Sequence, residues 1–409
     1  MIIRHTVSCS GCDAHILLRI SIGIDDVQPF YFVCSKCNAA TRGKLLLQYE
    51  PELDAKLEIE SGEILANEED INQTISIHSN LPMKAEAKEM WDDGGSPFIM
   101  HFSGLGDNYY EFDARLKEFK EIAKNDWLKV QRWIGYYLDN NWSQFDLEYE
   151  NIFKGSLGEP KEIWHRHDLL HRSLDLLFSF LWVDPYYPNM KKEWAELVVK
   201  GEKENLGITD YMEKEMKTGN VNKIQKELFH CLGLYMKHRD GILPGLVIEM
   251  YEPDRKERLI EELRLFRDEF SELRDLYIST FEACHDTLKF VMAINNIVYR
   301  GNADDFGSSP KSPNNMKKFE KSTSFNKASL INNLPSWEAN WNYLLNRKIR
   351  NAIGHNSVRH DLPSGLLILD DGTSLPYLEF VIMTLRLIHP LLLSANVLKT
   401  YCIASTMNN

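Results

Sequence analysis

Residues 253–302 read PDRKERLIEELRLFRDEFSELRDLYISTFEACHDTLKFVMAINNIVYRGN. Pro253 and Asp254 supply a helix start, Gly301 with Asn302 supplies a stop, and the text between has a helical period, so one very long helix is expected over 255–300. The same period recurs near 112–140, 160–182, 221–238, 337–353 and 376–404, so the chain beyond residue 110 reads as all-α. Residues 301–336 interrupt it with a Ser/Asn/Lys-rich break, expected to be mobile and too polar to bury.

Toward the N-terminus the period changes. His15–Ile22, Val27–Val33, Lys44–Tyr49, Ala55–Ile59 and Thr74–Ile77 read as short strands of a small antiparallel domain. Pro82, Gly94-Gly95, Pro97 and Gly104-Leu-Gly-Asp107 make 81–110 a linker, and its Gly-x-Gly, lacking a third glycine, is expected to be a turn rather than a phosphate cradle. The expected organisation is a β-rich segment over 1–80, a linker over 81–110, a helical middle domain over 111–250 and a helical domain over 251–409 with its polar loop. The fold class is mainly α.

Composition bounds the partners. The 409 residues suffice for two or three domains, and 44% hydrophobic with 26% charged residues is ordinary for a globular chain. A net charge of -13 argues against non-specific adhesion to nucleic acid or anionic membrane, so a polyanion must find a local basic patch. The N-terminus lacks the apolar core of a secretory signal, and the most apolar stretch, 375–395, is interrupted by Glu379, Arg386 and His389. A cytoplasmic protein without a membrane partner is expected.

Four of the seven cysteines form two knuckles, Cys9-Ser-Gly-Cys12 and Cys34-Ser-Lys-Cys37, separated by 21 residues. Two thiolates from each can close a tetrahedron around zinc, with the intervening strands forming the hairpins of a zinc ribbon. Four protein ligands leave no open position for water, so the zinc is expected to be structural. Lys36, Arg42 and Lys44 near the second knuckle would permit this region to grip RNA; holding the fold together or sensing a partner are equally open. Cys231, Cys284 and Cys402 stand alone in apolar helical text and read as buried small hydrophobes. His167-Asp-Leu-Leu-His171 approaches the H-E-x-x-H zinc-protease pattern, but its acid is one methylene short and no third ligand follows, so a polar helix face is expected there.

Trp341–Pro363 carries the other chemistry. On a helix of about 100° per residue, Leu345, Ile349, Ala352 and Ile353 share an apolar stripe, while Arg350 and His355 flank the polar face roughly 140° apart. Gly354 between them removes a side chain where a phosphate could approach, and Asn351 lies four residues before His355, placed to orient its imidazole. From 311 to 360 nine basic residues stand against two acidic ones, a local excess of seven in an acidic chain. Arg347, Lys348 and Arg359 in that patch are candidate RNA contacts.

Arg350-Asn-Ala-Ile-Gly-His355 resembles the R-x4-6-H motif of the HEPN superfamily of small helical bundles, and the likeness covers roughly residues 255–405. A hairpin expected around Asp371-Gly372 departs from the family by intervening between the motif and the last helix. The resemblance implies a metal-independent endoribonuclease, acting as a homodimer in which two motifs face one another across a cleft. It implies that His355 moves protons at the RNA 2′-hydroxyl or the leaving 5′-oxygen, that Arg350 stabilises phosphate charge and that Asn351 orients His355 or contacts substrate. The products implied are a 2′,3′-cyclic phosphate and a 5′-hydroxyl, and DNA is refused for want of the nucleophile. Family members often add an acidic residue on an earlier helix, for which Glu272, Asp275 and Glu282 are available. A toxin or antiphage effector restrained by a protein trigger or inhibitor is implied; the competing class is a non-catalytic protein whose ribbon and bundle serve as docking surfaces.

Overall fold

The computed structural model describes the chain except for residues 24, 49–53, 67–69, 85–95, 155–156, 182–185, 308–311, 323–326, 328–329, 332, 345–346, 355–356 and 408–409. The described residues are mainly helical, with a β-rich N-terminal region. They form two compact units, each gathered from three stretches: Met1–Ala114, Arg239–Arg274 and Ala352–Leu385 make the first, and Arg115–His238, Asp275–Asn351 and Arg386–Asn409 the second. Periodicity divides the chain into consecutive segments, whereas each unit takes its stretches alternately along the chain.

The first unit holds the sheets. Strands β1 (Ile2–Ser8), β2 (His15–Ser21), β3 (Val27–Val33), β4 (Ala40–Gln48), β5 (Asp54–Ile59), β6 (Ile64–Leu65) and β7 (Gln73–His78) form two of them, in the orders β6-β1-β2-β7 and β3-β4-β5. β2 pairs with β7 in parallel, against the expectation of a purely antiparallel domain. Val7, Ile16, Leu18, Ile20, Phe30, Phe32, Leu45 and Ile77 bury one apolar core, and Phe266 and Leu362 from distant stretches join it. Gly43 is required by that packing: opposite it on β3, Phe30 lies so close that a Cβ at residue 43 would sit 2.7 Å from the ring.

The long helix expected over 255–300 is broken. Pro253–Glu262 and Phe270–Arg300 are helical, and between them β9 (Leu263–Arg264) pairs with β8 (Met83–Lys84). Tyr31 donates its backbone N–H to Phe266 O at 2.9 Å, and the buried Arg267 donates to Ser79 O. These tertiary bonds replace intrahelical ones, and Leu263, Leu265 and Phe266 bury as a strand would bury them. Within the expected linker, Pro97–Leu105 is a helix capped by Ser96. The expected hairpin is present: β10 (Val358–Asp361), β11 (Leu366–Leu369) and β12 (Ser374–Pro376) form an antiparallel sheet, turning at Gly372 with φ of +81°.

The second unit is helical. Ile388–Met407 packs on Ile163–Leu177, Tyr186–Lys203, Ile208–Lys217 and Asn220–Lys237, and burial of Leu391, Leu392, Val397, Leu398 and Tyr401 shows it enclosed on every side. It belongs to Tyr377–Thr406, which is long and apolar enough to cross a membrane, yet 94% of its apolar window is buried inside the protein, as in a core helix. Trp133 is fully buried and stacks on Phe145 at 4.8 Å; Trp337 donates to Met190 O at 3.0 Å. The polar break behaves differently from expectation: Met316–Glu320 is a short helix, and Phe306, Phe319, Lys327, Ile331 and Leu334 are buried. These residues anchor the described part of the break despite its composition, and 308–311, 323–326, 328–329 and 332 lie outside the described residues.

Candidate functional site

Both cysteine knuckles fold alike. Cys9 donates its N–H to Ala14 O and Cys34 to Ala39 O, each at 2.9 Å, and the residue after each second cysteine takes a left-handed backbone, Asp13 at φ +55° and Asn38 at φ +59°. Aspartate and asparagine are the side chains that tolerate this conformation best after glycine, so the turn is written beside the ligands. The four Sγ atoms lie within 4.8 Å of one another, with Cys9 to Cys37 and Cys12 to Cys34 each 3.6 Å apart. That is too long for a disulfide and close to the edge of a tetrahedron with metal–sulfur bonds of about 2.3 Å. Gly11 N–H points at Cys9 Sγ from 3.4 Å, and a Cβ on Gly11 would crowd Cys37 Sγ at 3.3 Å.

The thiols resist ionising together. Burial raises Cys34, but the backbone N–H groups of Cys37 and Lys36 and its thiol neighbours outweigh it and bring it to about 7. The Ala39 N–H lowers Cys37, yet burial and the adjoining thiols push it to about 12. One of four crowded sulfurs ionises readily and another is held protonated, and a cation is what would let all four become thiolates. The donor set, spacing and backbone N–H groups therefore fit a metal ion held by four thiolates, with Cys37 at the surface. Among the described residues this is the one group of cysteine, histidine or carboxylate side chains so arranged.

Arg42 and Lys44, expected to be available to RNA, are already engaged. Arg42 Nε donates to Asp268 Oδ2 at 3.1 Å, and Lys44 pairs with Glu58 at 2.9 Å. His360 Nδ1 meets the other Asp268 oxygen at 2.8 Å, with its ring against Tyr377 at 4.3 Å. Burial favours the neutral form of Asp268, but hydrogen bonds from His360 and Arg42 win and hold the carboxyl down at about 2. The arrangement fixes β4 to the Asp268 segment.

The second unit carries Arg350, on the helix Arg347–Gly354, whose Ile349 and Ile353 are buried as the apolar stripe requires. Its guanidinium pairs with Glu282 on Phe270–Arg300, lies over the Phe281 ring at 5.8 Å and donates from Nη1 to Asn351 Oδ1 at 3.3 Å. Of the three acids available to the motif, the structure brings Glu282 to it; Asn351 bonds to the arginine. Phe281 was not singled out from sequence, although it immediately precedes Glu282. Both charged side chains stay partly exposed, Arg350 at 35% and Glu282 at 43%. Glu282 borders a depression of about 330 Å³ with Lys226, Glu227, His230, Ser279 and Asp286. His355 and Leu345 lie outside the described residues, as do the side chains of Arg347 and Lys348. Arg359, in the first unit, is exposed and pairs with Asp361 at 2.8 Å. Lys327, counted in the basic patch, is buried over the Phe319 ring at 5.6 Å, and burial lowers its pKa.

His167 and His171 do not form the polar face expected of them. Both are buried, and burial pushes His167 down to about 4 and His171 well below its ordinary value. Cys231, Cys284 and Cys402 are buried free thiols, as expected. No family model, no curated protein and no solved structure matches this chain.

Proposed function

We propose that this chain is a metal-independent endoribonuclease of the HEPN-like kind, with Arg350, Asn351 and His355 as its catalytic residues and a structural zinc held by Cys9, Cys12, Cys34 and Cys37. The supporting observation is the Arg350 guanidinium, tethered on one side by Glu282 and Phe281 yet still 35% exposed. A guanidinium has five N–H donors; one carboxylate and one amide leave donors for a phosphate, and the tether lowers the entropy of presenting them. Glu282 acts as a positioning residue. In the proposed reaction His355 takes the proton from the 2′-hydroxyl, which attacks the adjoining phosphorus; the bond to the 5′-oxygen breaks, that oxygen leaves with the proton His355 returns, and Arg350 stabilises the charge gathered on the phosphate.

Arg347, Lys348 and Arg359 are proposed RNA contacts, two facing motifs of a homodimer the working unit, and the cytoplasm the site of action. An effector of this kind would be a toxin or antiphage protein, restrained until a partner releases it.

The test is incubation of purified protein with total RNA in EDTA, beside His355→Ala and Arg350→Ala, with the ends mapped. Cutting by the parent alone, leaving 2′,3′-cyclic phosphate and 5′-hydroxyl ends, is expected. Identical behaviour of parent and variants would leave a docking protein.

A further inference from the structure

A second concavity in the helical unit has the chemistry of a nucleotide site. It encloses about 320 Å³, within the size range of ligand pockets, and Tyr137, Trp142, His167, Gln225, Lys226 and Cys402 contribute to its wall. Among the described residues no Asp or Glu borders it in a chain with 60 acidic residues, and Lys226, exposed at its edge, is its one charged side chain.

The polar groups have a fixed sense. Gln225 Nε2 donates to Tyr137 Oη at 3.1 Å, and that hydroxyl lies 2.7 Å from His167 Nδ1. The imidazole nitrogen is a far stronger acceptor than the nearby Cys402 sulfur, so the hydroxyl gives its proton to Nδ1 and the ring proton resides on Nε2. Burial keeps the imidazole neutral near pH 7, which preserves this one tautomer. Two groups are left over: a ring N–H donor on His167 and the Gln225 amide oxygen as an acceptor. Trp142, half-buried, adds a flat apolar wall.

A donor and an acceptor beside an indole, with no charge inside and a cation at the mouth, suit a flat uncharged heterocycle with an anionic tail. We propose that this cavity binds a nucleotide, the base against Trp142 and between the His167 and Gln225 groups, the phosphate at Lys226. Lys226 also borders the depression beside Glu282, so a strand occupying both would pass across it. The occupant is therefore a free mononucleotide or one nucleotide of an RNA strand, and the inference does not depend on the chain cutting RNA.

Calorimetric titration with the four 5′-mononucleotides, their nucleosides and a 2′-O-methyl RNA oligonucleotide, which lacks the nucleophile, reads binding alone. Gln225→Leu is expected to weaken binding about tenfold, the effect of one lost hydrogen bond. Lys226→Ala is expected to weaken nucleotides and spare nucleosides. Mononucleotide binding sensitive to both substitutions assigns a free ligand; binding confined to the oligonucleotide and weakened by both assigns a strand. Absence of binding by every probe at millimolar concentration, or binding indifferent to both substitutions, overturns the proposal. Should Gln225→Leu unfold, Lys226→Ala at the exposed edge decides. Loss of nuclease activity has no bearing on these readings, so the two proposals fail separately.

Discussion

Arg42 with Asp268 and Arg350 with Glu282 are the same chemical pair in two settings. In the first unit Asp268 is 13% exposed, accepts from Arg42 on one oxygen and from His360 on the other, and has its carboxyl held at about 2. In the second unit the carboxylate is the open partner, Glu282 at 43%, while Arg350 at 35% is less exposed than Arg42 at 50%; a cavity borders each pair. A fully satisfied buried carboxylate ties segments together; a half-exposed one such as Glu282 holds its arginine while staying in water. Charge and residue type do not separate the two roles. Burial of the carboxylate does, at 13% exposed for Asp268 against 43% for Glu282.

That contrast can be broken at either end. The largest effect is expected outside both pairs, in the four-thiol centre of the first unit: Cys34→Ser should cost roughly 3 kcal/mol or more of stability, because a structural metal contributes folding energy directly. Metal analysis and thermal melting check this, and a full metal content with an unchanged melt would remove the centre from the fold. Next comes Asp268→Ala, expected to cost about 3 kcal/mol by leaving Arg42 and His360 without their buried counter-charge. The same carboxylate sets an acid limit. Its folded pKa of about 2 lies below the ordinary 3.8, so its contribution, on the order of 2 kcal/mol, is complete above pH 4 and drains away as pH falls toward 2. Denaturant melts of parent and Asp268→Asn across that window should converge at the acid end.

Glu282→Gln sharpens the other side. Its stability cost should stay under about 1 kcal/mol, as for partly exposed ion pairs. RNA cutting should drop with little change in the melt, since the guanidinium loses its tether. A destabilisation equal to that of Asp268→Ala would show the Arg350 pair to be structural as well.

Much of this was legible from residue order. The knuckles announce themselves by spacing, and the strands from β2 to β5 follow from alternation because one face of each must be buried. The hairpin at Gly372 follows from its Asp-Gly turn. The break at Leu263–Glu269 was not legible, because its apolar residues continue the helical text and only pairing with β8 and with Tyr31 makes the strand cheaper than the helix. Lys327 escaped for the opposite reason: a lysine in polar text gives no sign that it will cover an aromatic ring.

The candidate site divides along the same line. The sequence by itself determined the thiol centre, since all four ligands come from two local turns brought together by a β-rich domain, and it marked Arg350, Asn351 and His355 by their spacing. Only the tertiary structure decided that Glu282 rather than Glu272 or Asp275 meets the guanidinium, that Arg42 is spent on Asp268, and that His167 turns inward to Tyr137. Local turns are encoded by the residues that make them. Which distant side chain arrives opposite is set by how helices pack, and that depends on the shape of every buried residue between them.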